Sequence, residues 1–189
     1  MALEHRISEL DTYLFAKGTH YEIYEKMGAH LAEEDGKAGT YFSVWAPNAR
    51  SVSVVGDFNN WDRTAHPMQP VQQSGIWDIF VPGVKAGDLY KFAVETSQGY
   101  TVLKADPYGN QSQLRPDNAS VVADIRYFDW TDQAWRKAHQ EKKTESPMAI
   151  YEVHPGSWKK DPSMPGEFYN FKKLAVELAD YVLEMGYTH

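Results

Sequence analysis

Hydrophobic and polar residues alternate with a period of two through the middle of this chain, in short runs. Tyr41 to Ala46 sets Phe42 and Val44 on one face, the pattern of a half-buried strand. Pro47, which has no N–H to offer a ladder, ends it. Ser51 to Val55 repeats the pattern, with Val52 and Val54 alternating with Ser51 and Ser53. Ile76 to Val81 places Trp77, Ile79 and Val81 on one side and Asp78 on the other. Leu89 to Val94 turns Tyr90, Phe92 and Val94 inward and Lys91 outward. Tyr100 to Ala105 and Ala119 to Ala123 complete a series of short strands divided by turn formers, which reads as a β-sandwich. Trp45 and Trp77 are assigned to its core.

The flanks follow a different period. Leu3, Ile7, Leu10 and Leu14 recur at helical spacing before Gly18, predicting a short amphipathic helix with a glycine stop. Tyr21 to His30 fits either a helical turn or an edge strand, and Glu33 to Gly39 reads as a polar loop. Past the sandwich, Trp130 and Trp135 precede a charged run from Arg136 to Glu145, as in a helix or an interdomain connection. Ala149 to His154 is strand-like and stops at Pro155-Gly156. A loop with Pro162, Pro165 and Gly166 then leads to Asn170, a helix N-cap. Beyond it Phe171, Leu174, Ala175, Leu178, Val182 and Met185 share one helical face, with Gly186 as the stop. Strand, loop and helix make one β/α unit, and a second strand is expected to begin at Tyr187.

Composition narrows the chemistry. Twenty-six acidic residues against nineteen basic ones give a net charge of −7, and no basic block is available to neutralise a phosphate backbone, which argues against nucleic acid. There is no cysteine, hence no disulfide and no thiolate metal site. The seven histidines are scattered without an H-x-x-x-H pair. Gly-rich phosphate loops and the G-x-S-x-G elbow are missing too. The start of the sequence lacks an apolar signal region and no run reaches membrane-spanning length, so a cytoplasmic protein without membrane contact is expected. N-x-S sequences at Asn110 and Asn118 are then silent.

One stretch carries binding chemistry. After the Ser51–Val55 strand comes Gly56-Asp57-Phe58-Asn59-Asn60-Trp61-Asp62, where turn-forming amides and carboxylates surround a tryptophan. An exposed indole in such company can stack on the apolar face of a sugar while its neighbours bind hydroxyls. Alternatively Trp61 folds back and caps the end of the sandwich.

The motif G-D-F-N-N-W-D resembles the signature of family 48 carbohydrate-binding modules. Further stretches resemble the N-terminal part of bacterial 1,4-α-glucan branching enzymes. These are Leu14-Phe15 with Gly18-Thr19-His20, Tyr24 to His30, Phe42 to Ala49, Tyr90-Lys91-Phe92, and Tyr151 to His154 with Gly156-Ser157-Trp158. Pro155 departs from the leucine usual in that last pattern. The resemblance implies a mainly β fold, an immunoglobulin-like β-sandwich followed by the first β/α unit of a truncated TIM barrel of family 13 glycoside hydrolases. It divides the chain into an N-terminal extension (1–30), a carbohydrate-binding module (31–125), a linker (126–147) and the barrel start (148–189). A whole barrel takes about 250 residues, so the chain reads as a fragment.

The same resemblance implies a parent enzyme that cuts an α-1,4-glucan and transfers the cut chain to a glucose 6-hydroxyl, with no cofactor. Its paired carboxylates belong to later barrel strands, so this chain is expected to hold no catalytic residue and to be inactive alone. Glu152 and His154 share one side of the barrel-start strand, where a structural hydrogen-bonding role is expected. For binding, the resemblance assigns Trp61 as the stacking ring and Lys91 as a hydroxyl donor, with Asn60 and Tyr100 as further candidates. The partner implied is glycogen, another α-1,4-glucan or a malto-oligosaccharide; no oligomeric state follows. A stand-alone glycogen-binding regulatory module and the N-terminal part of a debranching or trehalose-forming relative are the alternative readings.

Overall fold

A computed structural model of the chain describes residues 6–126, 128–140 and 147–189. Leu3, Tyr127 and the end of the charged run, 141–146, lie outside the described residues. The chain divides into two compact units, Met1–Phe128 and Asp129–His189.

The first unit is built on two antiparallel sheets among the described residues. One joins β1 (Gly28–Glu34), β2 (Lys37–Trp45), β5 (Ile76–Pro82) and β4 (Gln69–Pro70) in that order. The other runs β3 (Ser51–Gly56), β6 (Leu89–Glu95), β9 (Ser120–Val121) and β8 (Gln111–Ser112), with β7 (Thr101–Lys104) also on β6. Antiparallel partners point their side chains to the same face, so register decides what meets in the middle. Val52 pairs with Val94, Val54 with Phe92 and Gly56 with Tyr90. They face Phe42, Val44 and Val81 of the first sheet in one apolar cluster, with Trp77 and Ile79 partly buried against it. Phe42 and Tyr90 meet edge to face at 5.0 Å. Each such buried side chain contributes about 1.5–3 kcal/mol.

The polar loop expected over Glu33 to Gly39 is instead the turn of a hairpin. β1 and β2 pair from Gly28↔Ser43 out to Glu34↔Lys37, and Asp35 and Gly36 take the positive φ values of 50° and 73° that close it. The Tyr21 to His30 ambiguity resolves both ways, as a 3₁₀ turn at Ile23–Glu25 followed by β1.

The outer face of the β1–β2–β5 sheet is covered as well. Ile7, Ile23, Met27, Val71 and Ile76 form a second cluster there, with Phe15 and Tyr108 against it. This explains why Asp78, on the side opposite Trp77, Ile79 and Val81, is nonetheless buried. The N-terminal segment that provides the cover includes α1 (Glu9–Ala16), capped by Ser8 in a reciprocal box with Asp11. Its buried residue is Asp11 while Leu10 is 64% exposed, so of the apolar stripe expected there Ile7, just before the helix, enters the cluster on the sheet and Leu10 does not. Asp11 lies inward because Ser8, His20 and Lys26 converge on its carboxylate. Trp45, assigned to the core from sequence, is 52% exposed. It pairs with Ile76 and so points away from the inner cluster that takes Val44.

In the second unit, α2 (Gln133–Gln140) precedes α3 (Phe171–Glu184). Asn170 caps α3, its side chain accepting from the Lys173 N–H. Ala149 to His154 is extended but forms no regular strand. The Ala149 carbonyl accepts from the N–H groups of Thr188 and His189, and the Tyr151 N–H donates to the His189 carbonyl. The His189 N–H and carbonyl thus bond positions on either side of Ile150, the parallel pattern. The packed stripe of α3 is Leu174, Leu178, Tyr181 and Val182, whereas Phe171 and Met185 are exposed. Tyr151 and Trp158 pack on Tyr181, which turns the helix toward its tyrosine. Lys173 to Asp161 and Tyr169 to Glu177 hold the intervening loop on the helix.

Candidate functional site

The turn carrying Trp61 is shaped from below by residues that are themselves buried. A Cβ on Gly56 would lie 2.1 Å from the Leu89 carbonyl oxygen and 2.5 Å from the Phe58 ring, so only glycine lets the chain leave β3 so close to β6. Phe58 then drops onto the core, stacked 5.9 Å from Phe42. Asn59 is buried. Its Oδ1 accepts the Gly56 N–H at 2.9 Å, and its Nδ2 donates to the Val54 carbonyl at 3.0 Å and meets His66 Nδ1 at 2.9 Å.

Asn60 and Trp61 stand on that base in the left-handed region, at φ 53° and 60°. Two successive non-glycine residues there carry backbone strain of about 1–2 kcal/mol each, and the bonds of Asn59 hold them in it. The Trp61 N–H returns to the Gly56 carbonyl at 2.9 Å, and its indole N–H donates to Asp57 Oδ1 at 3.0 Å. The indole is half-buried and keeps part of its surface in solvent. Asn60 is exposed. Asp62 accepts from the N–H and hydroxyl of Thr64, and these bonds hold its carboxyl below the usual carboxylate range.

Lys91 lies on the outer face of the β3–β6–β7 sheet, between the inward Tyr90 and Phe92, and opposite Val55. Its Nζ donates to Asn118 Oδ1, an exposed side chain in the loop that enters β9. That loop is closed by the Gln113 N–H on the Ala119 carbonyl and displays Leu114, 87% exposed. On the same face Leu103 pairs with Ala93 and is 41% exposed.

Lys91 and Asn118 are therefore in contact, and the Trp61 turn leaves the sheet at the end where Gly56 pairs with Tyr90. Tyr100 is not brought to them. It sits beyond the other end, where Ser51 pairs with Glu95, and its carbonyl accepts the Thr96 N–H in the β6–β7 hairpin. From Gly56 to Ser51 is roughly 17 Å, at ~3.4 Å per residue. Asn118 and Leu103 were missed because no sugar-binding motif marks either; only the pairing of β7 and β9 with β6 brings them to Lys91. Glu152 and His154 are both exposed, with His154 Nδ1 2.8 Å from Ser157 Oγ. Glu152 is thus not the buried strand-bracing carboxylate expected from sequence.

Residues 26–109 match the family described as carbohydrate-binding module 48 (isoamylase N-terminal domain). This segment is similar to the family 48 carbohydrate-binding modules. The module contains Trp61 and Lys91, and Asn118 reaches it from outside the match. Similarity extends beyond the module to nearly the whole chain. The chain is 52% identical to the 1,4-alpha-glucan branching enzyme GlgB of Protochlamydia amoebophila, over 96% of this chain and 25% of that protein. It is 49% identical to GlgB of Butyrivibrio fibrisolvens, over 97% of this chain and 29% of that protein. The chain thus spans about a quarter of the length of these relatives. Among solved structures, a candidate alpha amylase of Salmonella typhimurium superimposes with a TM-score of 0.59 at 23% identity, over 86% of this chain and 24% of that one. At that identity it supports the fold alone.

Proposed function

We propose that this chain is the N-terminal glucan-binding part of a 1,4-α-glucan branching enzyme, and that its module holds α-1,4-glucan on the outer face of the β3–β6–β7 sheet. One observation carries the reading: the Lys91 ammonium and the Asn118 amide are joined on the surface, at the end of the sheet where Gly56 pairs with Tyr90 and the strained Trp61 turn leaves it. A glucan has alternating apolar ring faces and hydroxyl edges. An indole takes the first by stacking, and an ammonium with an amide takes the second by donating and accepting. Asn60, exposed beside Trp61, is a further hydroxyl partner. Tyr100 contacts only a chain long enough to cross the sheet. The relatives' name supports α-1,4-glucan as the ligand and branching as the parent's reaction. In that reading the chain supplies attachment and the start of a barrel, and the reacting carboxylates lie elsewhere. A cytoplasmic location fits the same reading.

The test is affinity electrophoresis of the purified chain in native gels with and without glycogen. Retardation by glycogen that weakens in Trp61→Ala and Lys91→Ala supports the proposal. Equal mobility in both gels would sink it. Incubation with amylose followed by iodine staining is expected to show no branching.

A further inference from the structure

The sandwich exposes a second flat ring, on the face opposite Lys91. Trp45 ends β2, is 52% exposed, and lies on the outer side of its sheet because Val44 beside it enters the inner cluster. The ring is held in place. Phe15 of α1 meets it edge-on, with centroids 5.9 Å apart and planes at 71°. On another side is the turn through Gly75, at φ 76°, where a Cβ would come within 3.1 Å of Trp45 Nε1 and 2.7 Å of Pro47 Cβ. The Ala46 N–H donates to the Gly75 carbonyl at 2.8 Å, locking that turn to the strand end. The same turn carries Gln72, whose amide donates to the carboxylate of Glu9 at 3.3 Å, on the helix that supplies Phe15. An indole held on two sides and half open to solvent meets the requirement of sugar stacking at little ordering cost.

We infer that Trp45 is a second α-glucan contact. The inference rests on the glucan-binding reading and adds a site to it. Trp45 lies on the outer side of one sheet and Lys91 on the outer side of the other, and packed sheets are about 10 Å apart, so one short oligosaccharide does not span both. The module would hold two chains, or two segments of one branched particle, and gain avidity on glycogen that it lacks on short oligosaccharides.

Hydroxyl-radical footprinting of the wild-type chain with maltoheptaose tests this without any substitution. Oxidation of Trp45 should fall several-fold at saturating sugar, and should fall equally in Trp61→Ala. The β-linked cellohexaose should leave it unchanged. Calorimetry should give two maltoheptaose sites in the wild type and one in Trp45→Ala, with Trp45→Phe keeping both. Protection of Trp61 with none at Trp45 overturns this inference and leaves the Trp61 site standing. Protection of neither ring overturns both readings. Protection of Trp45 that follows protein concentration and ignores sugar also overturns it, marking the ring as a contact between copies.

Discussion

The Tyr41 hydroxyl donates to Asp78 Oδ2 at 2.6 Å beneath the N-terminal segment, and it accepts the Arg6 N–H at 2.6 Å. One phenol thus ties the arriving chain to two strands of the sheet. Burial pushes the Tyr41 hydroxyl above its ordinary range, so it stays protonated and remains a donor at any physiological pH. Tyr41→Phe removes a donor from a buried carboxylate and an acceptor from a backbone N–H. It should cost about 1–3 kcal/mol, read as a lower denaturation midpoint with an unchanged slope.

Asp11 confers acid sensitivity. Burial raises its pKa, but the hydrogen bonds from Lys26, Ser8 and His20 outweigh burial and hold the carboxyl far below its usual range. With the folded pKa below the unfolded value of about 3.9, its stabilisation is present above that value and lost as pH falls through and below it. The stability difference between the wild type and Asp11→Asn, followed by urea titration, should therefore shrink on acidification from neutrality.

Asp106 has the opposite sign. Burial pushes its carboxyl up, offset only in part by bonds from Tyr90 and the Tyr108 N–H. Its folded pKa lies above the unfolded one, so its favourable contribution is present below the unfolded pKa and lost as pH rises through the folded one. Asp106→Asn should gain on the wild type with rising pH across that window, although its amide keeps only one of the two oxygens that accept from Tyr90 and the Tyr108 N–H.

The adjacent asparagines separate by experiment. Asn59→Ala leaves the Gly56 N–H and the Val54 carbonyl without their partner and should cost about 2–4 kcal/mol, from two buried bonds at about 1–2 kcal/mol each. It should also weaken glycogen retardation, because the Trp61 turn loses its base. Asn60→Gly relieves a left-handed residue and should leave the melting temperature level or raised. Equal stability losses in the two variants would contradict this division between a buried brace and an exposed turn residue.

Lys91→Ala and Asn118→Ala should each weaken glycogen retardation by about tenfold, equivalent to ~1.4 kcal/mol, with thermal melts unchanged because both side chains lie on the surface. A double variant no weaker than either single one is expected if the two act as one unit.

The strands of the sandwich were legible because alternation follows from the pleat alone: Phe42, Val54 and Phe92 enter the core as their spacing requires. So was the N-cap at Asn170, a local hydrogen bond. The motif at Gly56 to Asp62 marked the right turn, but not which asparagine is buried in it. Trp45 was misplaced for a related reason. A period of two tells which residues share a face but not what covers that face, and both sides of the β1–β2–β5 sheet are covered except near its end. Asp78 and Asp11 are buried by the same N-terminal cover, which local pattern does not encode. The short β4 and β8 and the meeting of Lys91 with Asn118 depend on pairing between segments far apart in the chain. Local sterics and periodicity were therefore determined by the sequence itself. Which polar groups are buried, and which side chains from distant strands share a surface, was decided only when the sheets packed and the N-terminal segment closed over one of them.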